Sequence, residues 1–231
     1  MDSLPENAHV SKHPCVRAKL SQLRAASTNA REVKALIHEI ATIVGVEALG
    51  KALGVSSSGT DKSPLGYSYS TERITPKKVS LVPILRSGLS MIDALTALLP
   101  NPVPIHHLGM YRSKPTFEPI EYYNNLPYHG TSITDSEGPS GPSELAIVVD
   151  PVIATGATAT AAVETLRDWG VKKVLVICIL GGVDGVKRVT ESWEGCVEVW
   201  CGGCDEGTDE KGMIKPGLGD VGDRLYLTIG K

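Results

Sequence analysis

Short uninterrupted apolar runs alternate along this chain with segments whose apolar residues recur every three or four positions. The first pattern suits a strand buried on both faces, the second a helix that buries one stripe. Leu145 to Val149 is such a run, and Val79 to Leu85, Val103 to Met110, Val174 to Leu180 and Val197 to Trp200 also read as strands. Helical spacing appears in Val33, Leu36, Ile37, Ile40 and Val44, with Asn29 as N-cap and Glu32 as its N3 partner. It returns in Met91, Leu95 and Leu98, ended by Pro100 and Pro102, and in Ala162, Leu166 and Trp169, stopped by Gly170. Asp184 to Trp193 is the last predicted helix. Strands alternating with helices predict an α/β fold around a mostly parallel sheet.

Two stretches break the alternation. Val55 to Tyr69, rich in Ser and Gly, reads as a loop or a mobile edge. Tyr111 to Ser143 holds Pro115, Pro119, Pro127, Pro139 and Pro142 and ends without any apolar period. A segment of that length without a core pattern is usually functional or mobile, and residues 111–143 are read as a flap over a site or a dimer arm with a flexible tip, with Glu118 to Tyr123 as one arm of a hairpin. At 231 residues the chain is long enough for one full core, so a single domain over 1–231 is expected.

Composition changes this picture little: 42% hydrophobic and 21% charged residues are ordinary globular usage. A net charge of −3 offers no general attraction to nucleic acid or an anionic membrane. No apolar run approaches the roughly 18 residues that span a bilayer, and the polar start MDSLPENAHVSKHP has no signal-peptide character. A cytoplasmic protein with reduced cysteines is the expectation. Cys201 and Cys204 form one C-x-x-C, but no second pair or later His completes a zinc set, and the motif is read as a loop after a strand.

The candidate chemistry begins at LAIVVDPVIATGATATAAVETL, Leu145 to Leu166. Asp150 emerges at the carboxyl end of a buried strand, where ligands collect in open α/β sheets. From Ala154 to Thr158 no bulky side chain obstructs an approaching anion, and backbone N–H groups together with the Thr155 and Thr158 hydroxyls supply donors. No Lys follows Gly156, so this is not the GxxxxGK[ST] loop, and the GxGxxG spacing also fails. The plain alternative is a strand–helix turn that binds nothing.

Three further segments carry polar groups at turns. In VPILRSGLSM, Val82 to Met91, Arg86 appears at a strand end beside a helix start, suited to a diphosphate or, alternatively, to a solvent-exposed salt bridge. GMYR, Gly109 to Arg112, sets a second cation at the root of the flap. In EKGMIKPGLGDVGDR, Glu210 to Arg224, the residues Pro216, Gly217, Gly219 and Gly222 exclude a regular helix or strand. They describe a tight loop whose exposed backbone can read a planar ring through C=O and N–H groups.

Together these segments resemble the uracil phosphoribosyltransferases, and the resemblance runs from HPCVRAKLSQLR to the C-terminus. PILR-[SA]-G is that family's diphosphate loop, PGLGD-x-GD[RK] its uracil-binding signature, and a single acid followed by Pro, here Asp150–Pro151, its variant of the acid pair common in related enzymes. The resemblance implies a phosphoribosyltransferase-type fold with a flap and a C-terminal base-binding hood over 201–231. It implies transfer of phosphoribosyl from phosphoribosyl diphosphate (PRPP) to uracil, giving UMP and diphosphate, with Mg²⁺ carried on PRPP and Asp150 as the acid that could touch it. Carried over by position, Arg86, Arg112 and Asp220 are the catalytic candidates. Arg86, Arg112, Asp150, Pro151, Val152, Ile153, Ala154, Thr155, Gly156, Ala157, Thr158 and Asp220 would bind PRPP. Ile214, Gly219, Asp220 and Val221 would surround uracil. Related folds also hold the diphosphate loop with a non-proline cis peptide, expected near Leu85–Arg86. The resemblance further implies GTP binding and a homodimer or dimer-based tetramer.

The chain departs from the family pattern at four places. Met213 stands where Tyr is common, Val221 replaces a smaller Ala, and Ala157 replaces a loop Gly, which matters only if that residue needs φ > 0. Residues Gly130 to Pro142 are longer than the bacterial flap loop. These departures motivate a second reading, a catalytically silent PRPP- or UMP-binding regulatory protein, and a weaker third, transfer to another base.

Overall fold

A computed structural model of the chain describes residues 4–113, 119–127 and 141–228. The apolar runs become the parallel strands β4 (Val79–Leu85), β7 (Leu145–Val149), β9 (Lys173–Gly182) and β10 (Val197–Asp205). The short β1 (Ala8–Val10) pairs parallel with β10 at one edge, and β5 (Leu108–Arg112) pairs parallel with β4 toward the other. β6 (Pro119–Asn124) closes that edge antiparallel to β5, giving the order β1-β10-β9-β7-β4-β5-β6. The two-residue β8 (Val152–Ile153) pairs with β9 beyond the end of β7.

Every residue of β7 is buried, because the sheet is covered on both faces. Ile147 and Val149 point into one core with Leu81, Leu175 and Ile177, under the helices α1 (Pro14–Arg24), α2 (Ala30–Ala52) and α3 (Leu89–Leu98). Ala146 and Val148 face the opposite core with Val82 and Val176, under α4 (Ala157–Trp169) and α5 (Val183–Glu191). The amphipathic pattern of α2 is realised: Val33, Ile37, Ile40 and Val44 are wholly buried, and Asn29 with Glu32 forms a reciprocal capping box. Ala162 and Leu166 bury the face of α4, and Gly170 ends that helix in the left-handed conformation, φ 103°.

Several expectations are corrected. Val55 to Tyr69 is not a loop: it lies within an antiparallel hairpin of β2 (Gly54–Lys62) and β3 (Ser68–Thr75). A two-stranded ribbon wet on both faces needs no apolar alternation, and cross-strand Ser57–Ser70 and Ser58–Thr71 hydroxyl pairs take its place. The predicted strand over Val103 to Met110 pairs continuously only from Leu108, preceded by one bridge from Ile105 to Leu81. Cys201 and Cys204 lie inside β10, not in a loop after it. Gly202 disguised this strand but suits it, since a Cβ there would come within 2.8 Å of the Ile179 carbonyl, while one on Gly203 would press on the tip of Leu20 in α1. The hairpin arm from Glu118 to Tyr123 is realised over Pro119–Asn124, while 114–118 and 128–140 of the predicted flap lie outside the described residues.

Two chain directions diverge at the centre of the sheet. From β4 the chain runs through α3 to β5 on one side, and from β7 through α4 to β9 on the other. Outside the carboxyl ends of β4 and β7 this leaves a crevice, the usual ligand position of open α/β sheets.

Candidate active site

The crevice is a cleft of about 320 Å³. Arg86 and Ser87 enter it from the end of β4, Asp150 from the end of β7, and Val152 to Ala159 from the turn into α4. The C-terminal segment supplies Met213, Ile214 and Leu218 to Gly222, and Tyr122 of β6 adds to the lining. Four segments far apart in sequence thus meet over one sheet edge.

The turn before α4 has a backbone reason for its composition. Gly156 is the N-cap at φ 78°, and a Cβ there would collide with the Gly185 carbonyl. The side chains around it are small, so the amino end of a 13-residue helix, with its partial positive charge, lines the cleft. Ala157, in place of the family's Gly, is the first helical residue and has no positive φ, so the substitution brings no backbone conflict. Pro151 stands apart from the other predicted PRPP residues. It does not line the cleft, and its carbonyl accepts the N–H groups of Ile179 and Leu180, both at 3.0 Å.

Asp150 and the β4 loop are joined directly. Ser87 Oγ donates to Asp150 Oδ1 at 2.8 Å, which orients the carboxylate across the floor of the cleft. The Leu85–Arg86 peptide is cis, as the resemblance implied. Among the described residues no carboxylate lies within ion-pair distance of Arg86, and its guanidinium carbon sits 5.7 Å from the centre of the Tyr226 ring. Arg112 is the last residue of β5, and the placement of its side chain lies outside what is described.

The C-terminal turn is held by charged groups that no local sequence motif marks. The expectation that this segment holds no regular element is corrected at both ends, since Ile214–Lys215 form β12, paired with β11 (Gly207–Thr208), and Gly222 lies inside α6 (Val221–Tyr226); between them the backbone turns through a cis Lys215–Pro216 peptide and positive φ at Gly217 and Gly219. Asp205, at the end of β10, accepts the Gly217 N–H at 3.1 Å and both Nη atoms of Arg24 at 2.7 Å. Arg24 also donates to the Gly217 carbonyl at 2.9 Å, so one bidentate pair fastens both the N–H and the C=O of Gly217. Arg224 donates to the carbonyls of Leu218, Leu23 and Ala25 at 2.8, 2.7 and 2.9 Å, tying the turn to the end of α1. Burial holds the Arg224 guanidinium below its ordinary value, with the cation retained at neutral pH.

Asp220 is the N-cap of α6, its Oδ1 accepting the Asp223 N–H at 3.0 Å. Ile214, Leu218 and Val221 are buried and give the adjoining wall an apolar surface, while Gly219 and Asp220 remain exposed. Apart from Pro151 and Arg112, every predicted site residue lines this one cavity.

The uracil phosphoribosyltransferase family model matches residues 10–228, nearly the whole chain. The chain belongs to that family. Similar proteins include the putative uracil phosphoribosyltransferase urg2 of Schizosaccharomyces pombe, 36% identical over 95% of this chain and 90% of its own length. The uracil phosphoribosyltransferase of Listeria innocua is 36% identical over 96% of this chain and 99% of its own. Among solved structures, the AQ2163 protein of Aquifex aeolicus superposes with a TM-score of 0.82 at 28% identity, covering 96% of this chain and 98% of that one. The adenine phosphoribosyl transferase of Trypanosoma brucei, in complex with AMP, pyrophosphate and ribose-5-phosphate, superposes with a TM-score of 0.53 at 14% identity over 87% of both chains, a likeness of fold. No helix among the described residues is long and apolar enough to cross a membrane.

Proposed function

We propose that this uracil phosphoribosyltransferase family member transfers phosphoribosyl from PRPP to uracil, releasing diphosphate and UMP. The observation that carries the reading is the meeting of Arg86, Asp150, the Thr155–Thr158 turn and the Ile214–Val221 turn in one cleft. In the reaction the bond from the anomeric carbon to diphosphate breaks, and its electron pair leaves with the diphosphate. A bond from uracil N1 to that carbon forms as N1 gives up its proton. No covalent nucleophile is needed, and catalysis consists of positioning and stabilisation of leaving-group charge.

Each part of the cleft suits one part of the substrates. The open amides at the start of α4 take the 5-phosphate, with Thr155 and Thr158 hydroxyls beside them. Asp150, one oxygen steadied by Ser87, accepts the ribose hydroxyls. Arg86 grips the diphosphate, and Arg112 joins it as a second cation. Charge-assisted hydrogen bonds of about 1.5–3 kcal/mol each outweigh the ~0.3–1 kcal/mol from the helix dipole, so the arginine and the amides dominate. The Ile214–Val221 turn presents backbone groups to O2, N3–H and O4 of uracil, while cytosine, with an amino group in place of O4, would leave a buried donor unpaired. Asp220 lies where the base and PRPP meet and is the candidate acceptor for the N1 proton.

The donor set also bears on Mg²⁺. Among the described residues no group of three or more His, Cys, Asp or Glu converges on one point, and the acids lining the cleft are Asp150 and Asp220. That sparse set fits a hydrated Mg²⁺ held through the substrate's phosphates, with Asp150 able to touch it, and the ion would offset charge on the departing diphosphate. A homodimer or dimer-based tetramer, GTP binding and a cytoplasmic location complete the reading on family grounds.

The test is an incubation with PRPP, Mg²⁺ and, in turn, uracil, cytosine, hypoxanthine and adenine, following nucleotide formation. UMP from uracil alone is the expected result. PRPP binding without any product would support the silent regulatory reading, and product from another base would redirect the specificity.

A further inference from the structure

We propose that Tyr226 is a positioning residue: it aims the Arg86 guanidinium into the cleft and couples that aim to the base-reading turn. The inference rests on the diphosphate role given to Arg86 above.

Two independent contacts converge on the same arginine. The Tyr226 hydroxyl donates to the Arg86 backbone carbonyl at 3.0 Å. The Tyr226 ring lies under the guanidinium, 5.7 Å from centroid to Cζ. One side chain therefore fixes both ends of Arg86. Among the described residues no hydrogen-bond acceptor holds the guanidinium, so its donors are available to a ligand. An exposed arginine otherwise samples many rotamers, and ordering it is a cost that falls on ligand binding. Stacking on a ring reduces that cost without occupying a single N–H.

Tyr226 is itself held from the far side. It is the last residue of α6, whose N-cap Asp220 and first residue Val221 line the cleft. Leu227 ends the helix at φ 55°, Thr228 Oγ1 donates to Asp223 Oδ1 at 2.7 Å, and Arg224 anchors the helix to α1. The phenol is pushed up by burial, with Arg86 opposing, so the hydroxyl remains a proton donor at neutral pH. Six residues thus connect the turn proposed for uracil to the loop proposed for diphosphate. A shift of the one is felt at the other.

The experiment compares full-length wild type, Tyr226→Phe and Tyr226→Leu, each also combined with Arg86→Ala. PRPP affinity in Mg²⁺ is measured by calorimetry and thermal melting is followed in parallel. Tyr226→Phe keeps the ring and should weaken PRPP about threefold. Tyr226→Leu loses both contacts and should weaken it about tenfold. Both losses should vanish in the Arg86→Ala background, where no guanidinium remains to be aimed. A purely structural residue would not behave that way. Wild-type affinity in Tyr226→Leu, or an equal loss with and without Arg86, would overturn the proposal, as would a loss in Tyr226→Phe that tracks a fall in melting temperature. If the wild type binds PRPP but forms no UMP, the proposed transfer fails while the Tyr226 coupling is still read from binding. If it binds no PRPP, both fall.

Discussion

Asp150 is the residue on which the sugar side of the proposed site turns. Ser87 occupies one carboxylate oxygen, so Asp150→Asn keeps the size and the neighbour while removing the charge. PRPP binding and turnover should fall together by about tenfold or more, the scale of one charge-assisted hydrogen bond, and steady-state kcat and KM for PRPP would reveal it; unchanged kinetics would take Asp150 out of the site. Arg86→Ala should cost at least about 2 kcal/mol of transition-state stabilisation, read as kcat/KM, because the leaving anion loses its partner. At this scale much was legible. An acid at the end of an apolar run and an arginine between a strand and a helix have little packing purpose, which is why Asp150 and Arg86 stood out. Ser87, Arg24, Asp205 and Tyr226 did not, because their partners are 63, 181 and 140 residues away and no local pattern announces such pairs.

At the level of elements, the two turns differ in how they keep their shape. The turn into α4 depends on backbone conformation at Gly156. Gly156→Ala would place a Cβ against the Gly185 carbonyl at positive φ, costing on the order of 1–3 kcal/mol. A lowered melting temperature and weaker PRPP binding are expected together. The C-terminal turn instead depends on the pair of Arg24 and Asp205, whose side chains are only 25% and 10% exposed. Asp205→Asn would loosen Gly217, raising the KM for uracil several-fold with a smaller change in the KM for PRPP; equal changes in both would show that the turn does not act on the base alone. The elements the sequence misplaced are those whose burial it does not record. β10 runs on through Gly202 and Gly203 because α1 and α2 press against it, and the β2–β3 ribbon forms through its own cross-strand pairs without a core beneath.

For the whole molecule, acid is the informative stress. His106 is 9% exposed and stacks edge-on against Trp169, and burial first, then neighbouring His107, holds its pKa below 6.5. The unfolded chain therefore takes up this proton at a higher pH than the folded one, so stability should decline as pH falls through about 6.5 and level off once the folded histidine is also charged. Urea midpoints between pH 8 and 5 would display the slope, and His106→Gln should flatten it; the opposite slope would refute the assignment. The sequence by itself determined the α/β class, the helices α2 to α5, the small-residue turn before α4 and the identity of the groups on offer, because periodicity, capping and turn chemistry are local properties; α1 was not among them. Only the tertiary structure decided that Arg86, Asp150 and the Leu218–Val221 turn share one cleft, that Pro151 is not among its lining, and that Ala157 carries no positive φ. Those outcomes depend on strand order and on contacts between residues far apart in the chain, which the packing of two helical layers on one sheet creates and no short stretch of sequence encodes.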